Sequence, residues 1–192
     1  MTTRKIVLVR HGRSAHVVKG LLDLRAYMKW RDDYEAAGLD PFDAPPPALT
    51  AAAQNAAVLV ASDARRAIDS ARLLAPGRDV VVSPLVRELS LQPPNFTRLR
   101  LPLIGWALFI GLRWMIRQAL RVGHITPEEE QRVGDATEWL IELTANHGEI
   151  TVVTHGAIRS LLAKELTKRG WTSVTPRRRS SHWSAWSFAA NQ

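Results

Sequence analysis

The chain contains no cysteine, which excludes a disulfide framework, thiolate chemistry and cysteine-ligated metal. It also lacks a long apolar run near its start. Only Ile6-Val7-Leu8-Val9 separates the basic N-terminal residues from Arg10, too little for a signal-peptide core, so a cytoplasmic location is expected. The uncharged run from Leu101 to Leu112 is twelve residues, too short to span a bilayer. Acidic residues are missing from 91–125, where arginines stand at 98, 100, 113, 117 and 121.

What is present suits one globular domain over 1–192. Of 192 residues, 46% are hydrophobic and 23% charged, a balance that supports a real core. The net charge of +8 fits either an anionic partner or a generally basic surface.

Short runs rich in Val and Ile predict strands near 5–10, 57–62, 79–83 and 150–154, buried on both faces. A fifth, one-sided strand is expected at 183–188. Helical patterns cover 63–74, 126–146 and 156–170, the second opening on a capping Thr126, Pro127 and three glutamates. Strands alternating with helices predict an α/β fold: a three-layer αβα sandwich around a mostly parallel sheet. Two excursions break the alternation, at 16–49, with a helical middle over 21–37, and at 91–125. Both read as cap-like insertions in the single domain.

Two strands end in a histidine-glycine pair. Arg10-His11-Gly12 follows the first, and Thr154-His155-Gly156 follows the fourth. Ligands of open α/β sheets bind at the carboxyl ends of strands, so these residues are candidates for one site. Ser62-Asp63-Ala64-Arg65-Arg66-Ala67 follows the second strand, and Ser83-Pro84-Leu85-Val86-Arg87-Glu88 the third. With these four elements in order, the chain resembles the histidine phosphatase superfamily, the phosphoglycerate mutase-like proteins.

The resemblance implies a phosphoglycerate mutase-like fold and a metal-independent phosphomonoesterase without a cofactor. His11 matches the nucleophile that becomes phosphohistidine, and a histidine attacks only when neutral. Arg10 and Arg66 match phosphate ligands, a task suited to guanidinium donors. His155 matches the second pocket histidine, donating to phosphate near a helix start. Glu88 matches the general acid, which needs a raised pKa in a partly desolvated setting. Ser14 keeps the usual small hydroxyl of the phosphate loop. Arg13 stands where the family often has an acid or amide, and Val17 where many members have Asn; Arg13 or His16 could supply the missing contact. Structural readings also exist: Arg66 could pair with Asp63 or Asp69, and Glu88 with Arg87. His124, His147 and His182 carry no motif and are expected at the surface.

The expected substrate is a small or lipid-linked phosphate, the lipid-linked reading resting only on the charge of Arg13 and the arginines of 98–121. A phosphoglycerate-type mutase is the alternative reaction, and a catalytically idle phosphate- or membrane-binding module the alternative class. Residues 101–121 read as a helix with Arg113, Arg117 and Arg121 on one stripe. It would roof the site, form a dimer contact, or lie peripherally on acidic membrane with Trp106 and Trp114 at headgroup level. Arg177-Arg178-Arg179 has no stacking platform or nucleic-acid fold beside it, so no nucleic-acid partner is expected.

Overall fold

The structure is a computed structural model that describes residues 4–91, 93, 99–120, 125–176 and 180–190. Arg98, Arg121, His124 and the 177–179 arginines lie outside the described residues. In chain order the elements are β1 (Lys5–Arg10), α1 (Leu24–Ala36), α2 (Pro47–Asn55), β2 (Val58–Ser62), α3 (Arg65–Leu74) and β3 (Val81–Ser83). There follow a 3-10 turn at Pro84–Val86, α4 (Leu103–Ala119), α5 (Pro127–His147), β4 (Glu149–Thr154), α6 (Gly156–Lys168), β5 (Trp171–Ser173) and β6 (Ala185–Ala190).

The strands form a sheet ordered β3-β2-β4-β1-β6-β5. The first four run parallel, while β6 is antiparallel to β1 and to β5. Successive side chains of a strand face opposite sides, and the core divides accordingly. Ile6, Leu8, Val60, Ile150 and Val152 pack under α5 and α6. Val7, Val9, Leu59, Ala61 and Val153 pack under α2 and α3. That is the expected three-layer sandwich.

Some local expectations change. β3 is an edge strand, and its Val81 and Val82 are exposed rather than buried on both faces. The last strand begins at Ala185, because Trp183 adopts a left-handed backbone (φ 59°) that no strand continues through. Its buried indole donates to Asp43 Oδ2 and fills the space above Gly12, where any side chain would collide with it. β5 and α2 were not expected. The prolines at 45–47, read as the end of an excursion, instead start α2, with Pro47 at its first turn.

The two excursions meet each other. Residues 22 and 101 exchange backbone hydrogen bonds (Leu22 N to Leu101 O 2.8 Å, the reverse 3.0 Å), and α1 packs on α4 through Leu22, Tyr27, Trp106 and Ile110. Trp106 is fully buried, stacked on Tyr27, with its Nε1 donating to Leu22 O at 2.8 Å. This corrects its placement at a membrane headgroup level, and Trp114 likewise packs against the main core.

Candidate active site

Because β1, β2, β3 and β4 run parallel, the residues after each emerge at the same sheet edge. They open into a cavity of about 760 Å³ lined by Arg10, His11, Arg66, Glu88 and His155 from the strand ends. Tyr27, Trp30, Tyr34 and Glu35 of α1 and Ala107, Ile110 and Gly111 of α4 complete the wall. Sequences 144 residues apart thus share one pocket through β1–β4 pairing, where Arg10 stands opposite Thr154.

His11 is held by two backbone contacts. Its N–H donates to Thr154 O at 2.9 Å, and its Nδ1 lies 2.6 Å from Gly12 O. A carbonyl only accepts, so Nδ1 carries the proton and Nε2 keeps its lone pair. Burial, then the Arg66 and Arg10 cations and His182, push the His11 pKa down to about 3. The imidazole is neutral across physiological pH, the form a nucleophile requires.

His155 lies with its ring centroid 4.9 Å from that of His11. Its Nδ1 is 3.2 Å from Arg66 Nη2, and its Nε2 is 2.8 Å from Ser62 Oγ. A guanidinium only donates, so Nδ1 accepts and Nε2–H donates to Ser62. Burial, with His11 and Arg66 beside it, holds its pKa well below the usual imidazole value. Both ring nitrogens are therefore engaged, and in this arrangement His155 orients Arg66.

Arg66 is almost fully buried, sits 4.4 Å over the Tyr34 ring, and pairs with Glu35 through Nη2 at 3.1 Å. Neither structural reading of the sequence holds for it, since Asp69 pairs with Arg65 and Asp63 with Arg87. The same Asp63 pair removes Arg87 from Glu88. The Glu88 carboxylate instead accepts from Leu89 N at 3.1 Å, Ala157 N at 3.2 Å and Ile158 N at 2.9 Å. The last two open α6, where an anion is favoured. Gly156 lies beside both groups: a Cβ there would sit 3.8 Å from the Arg10 guanidinium and 4.0 Å from Glu88 Oε2, in ordinary contact. Arg10 donates from Nη1 to Ser180 O. Buried Nε atoms of Arg10 and Arg66 have no hydrogen-bond partner among the described residues.

Arg13 and Ser14 stand apart from the cavity wall. The Arg13 residue is exposed, with its backbone N–H donating to Asp43. Ser14 is buried, and its Oγ accepts from His16 N at 3.2 Å. His182 is not a surface residue. It is half-buried, 5.6 Å from the His11 ring, and burial and Arg10 lower its pKa. Glu35 and Tyr34, on an excursion without a motif, had no signal in the sequence. Arg159 had none either. It is fully buried on α6, lies 3.9 Å over the Trp186 ring and donates to Ser184 O at 2.5 Å.

No protein-family model matches the sequence, and no curated protein is significantly similar to it. Solved structures are similar. A mycobacterial glucosyl-3-phosphoglycerate phosphatase in complex with VO3 matches at TM-score 0.57 and 20% identity, over 96% of this chain and 92% of that one. A phosphoserine phosphatase from Entamoeba histolytica in complex with 3-phosphoglyceric acid matches at 0.54 and 17%, over 98% of each chain. Mycobacterial hydrolase 2 matches at 0.59 and 19%, over 98% of this chain and 83% of that one. The chain has the fold of these phosphatases. Within this phosphatase fold, the cavity described above opens at the carboxyl ends of the parallel strands, where α/β proteins place their ligands.

The buried imidazoles have a consequence for stability. An unfolded histidine titrates near 6.5, whereas folded His11 does so near 3. Between those values the unfolded chain binds a proton that the folded chain refuses. Stability is therefore full above the unfolded value and falls as pH drops through the window from 6.5 towards 3. For His11 alone the loss by pH 5 is about 2 kcal/mol. Denaturant midpoints at pH 7.5 and 5 should fall less for His11→Gln than for wild type. Equal slopes would show that His11 is not buried neutral.

Proposed function

We propose that this protein is a phosphomonoester hydrolase that carries the phosphoryl group on His11 Nε2. The observation that carries this reading is the neutral His11, its proton fixed on Nδ1, facing a cavity with two guanidinium groups. Arg10 and Arg66 would bind the phosphoryl oxygens and stabilise charge as it transfers. Nε2 attacks phosphorus, the P–O bond to the substrate breaks, and Glu88 gives a proton to the leaving oxygen; to carry that proton it must give up one of the backbone N–H bonds its carboxylate accepts in the structure. Water then attacks phospho-His11. The Glu88 carboxylate takes a proton from that water, inorganic phosphate leaves, and His11 returns to its neutral form. His155 keeps Arg66 in place.

The rest of the cavity bears on substrate. Tyr27, Trp30, Tyr34, Leu89, Leu91 and Ile110 all line it, which suits a phosphate ester with an apolar or aromatic body. The test is rapid acid-free quenching with a labelled aryl phosphate in the presence of EDTA. The expected result is turnover with a transient protein-bound label that is stable in base and lost in acid. Turnover without that label, at any quench time, would reject the phosphohistidine route.

Glu35 stands where an incoming phosphate would meet Arg66, so substrate must displace it. Removing it with Glu35→Ala should tighten inhibition by inorganic phosphate by roughly 3- to 10-fold, equivalent to about 0.7–1.4 kcal/mol. Weaker inhibition in the variant would mean that Glu35 instead holds Arg66 ready.

A further inference from the structure

The outward face of α4 is apolar along its whole length. Ile104, Leu108, Leu112, Met115 and Ile116, with Leu120 just beyond the helix, are each 49–67% exposed. Their spacing of three and four residues puts them on one stripe, and a 17-residue helix makes that stripe about 25 Å long. The opposite side packs inward, with Trp106 and Ile110 buried against α1. The fold therefore uses one side of α4 and leaves a contiguous apolar surface on the other, the mark of an interaction site. Leu21, 66% exposed, adds to it beside the Leu22–Leu101 bridge.

Charge selects what covers this face. No Asp or Glu occurs between Glu88 and Glu128, while five arginines do, in a chain of net charge +8. Arg100, just before the helix, is exposed, while Arg113 and Arg117 are half-buried on the side of α4 that carries Ile110 and line a pocket there with Leu89, Trp114 and Glu129. Pairing of two copies through this face would be isologous, setting each basic cap against its twin. An anionic surface has no such penalty. Among the described residues no helix is long and apolar enough to cross a membrane, so the fitting geometry is a helix lying in the interface, apolar side down.

We propose that α4 docks the protein on the surface of an acidic lipid bilayer through its outward stripe. This does not depend on the chemistry at His11. It has a consequence for access all the same: Ala107, Ile110 and Gly111, on the inner side of the same helix, line the cavity. Docking thus brings the cavity to within one helix diameter of the lipid.

The experiment is co-sedimentation of the full chain with vesicles of phosphatidylcholine alone or mixed with phosphatidylglycerol. The expected result is binding at least about tenfold stronger to the acidic vesicles, weakening as salt shortens the Debye length. The double variant Leu108→Glu, Leu112→Glu places acids on exposed positions, so its circular dichroism and melting should match wild type while acidic-vesicle binding falls at least tenfold. No binding at low salt would overturn the proposal, as would binding that the double variant retains. A dimer in solution that the double variant dissociates, without vesicle binding, would assign the face to a second copy instead.

Discussion

His11→Ala is expected to lose turnover of p-nitrophenyl phosphate by on the order of 10⁴- to 10⁶-fold, the scale seen when a nucleophile is removed from a preorganised site. The size follows from what is left. Arg10 and Arg66 can still bind the phosphate, but His11 alone among the described residues that line the cavity offers an imidazole lone pair not already engaged. His155 uses both ring nitrogens on Arg66 and Ser62. Among the described residues, the other imidazole in ring contact with His11 is His182, at 5.6 Å. The base-stable label should vanish with the activity, while binding of inorganic phosphate persists. A variant with wild-type rates would end the phosphohistidine mechanism. A variant that keeps a labelled protein would move the carrier to His182, and His11→Ala with His182→Ala would then show it.

The second large effect depends on the leaving group. General acid catalysis is typically worth ~10²–10⁴-fold, so Glu88→Gln should slow hydrolysis of alkyl phosphates by that amount. p-Nitrophenolate leaves without needing a proton, and its loss should stay below about tenfold. Glutamine keeps one acceptor oxygen, enough for Leu89 N and Ile158 N, but turns an NH2 towards Ala157 N, which uses the other carboxylate oxygen. That local loss is common to both substrates, so the ratio between them isolates the proton. Plotted against leaving-group pKa, log kcat/KM should be steeper for Glu88→Gln than for wild type. Parallel lines would mean that Glu88 only shapes the pocket.

Much of this is readable in the sequence. Ile6–Val9 and Ile150–Val153 are β-branched runs of strand length, and each ends at a turn, so periodicity alone placed His11 and His155 at strand ends. The order of the four strand-end segments suggested the resemblance and, with it, Arg66 over its neighbour Arg65. The misses are of another kind. Trp183 looked like strand because it sits among alternating residues, yet its left-handed backbone serves a contact with Asp43 and Gly12, 140 and 171 positions earlier. His182 had no local motif, and its neighbour in space is His11. Glu35 carries no signal because nothing in residues 16–49 reveals that α1 folds back over the strand ends.

The division between sequence and structure follows from the range of the forces involved. Periodicity, capping and turn chemistry act over a few residues, and they determined the α/β sandwich, the parallel strands and the histidines, arginine and glutamate at their ends. Only the tertiary structure decided which nitrogen of His11 is free, because that depends on the Gly12 carbonyl beside it and on burial. It alone decided that His155 faces Arg66, that Glu35 meets the same arginine, and that α4 buries Trp106 while leaving Ile104, Leu108 and Leu112 outside. Those outcomes arise where segments distant in sequence compete for the same space, and no local pattern records who wins.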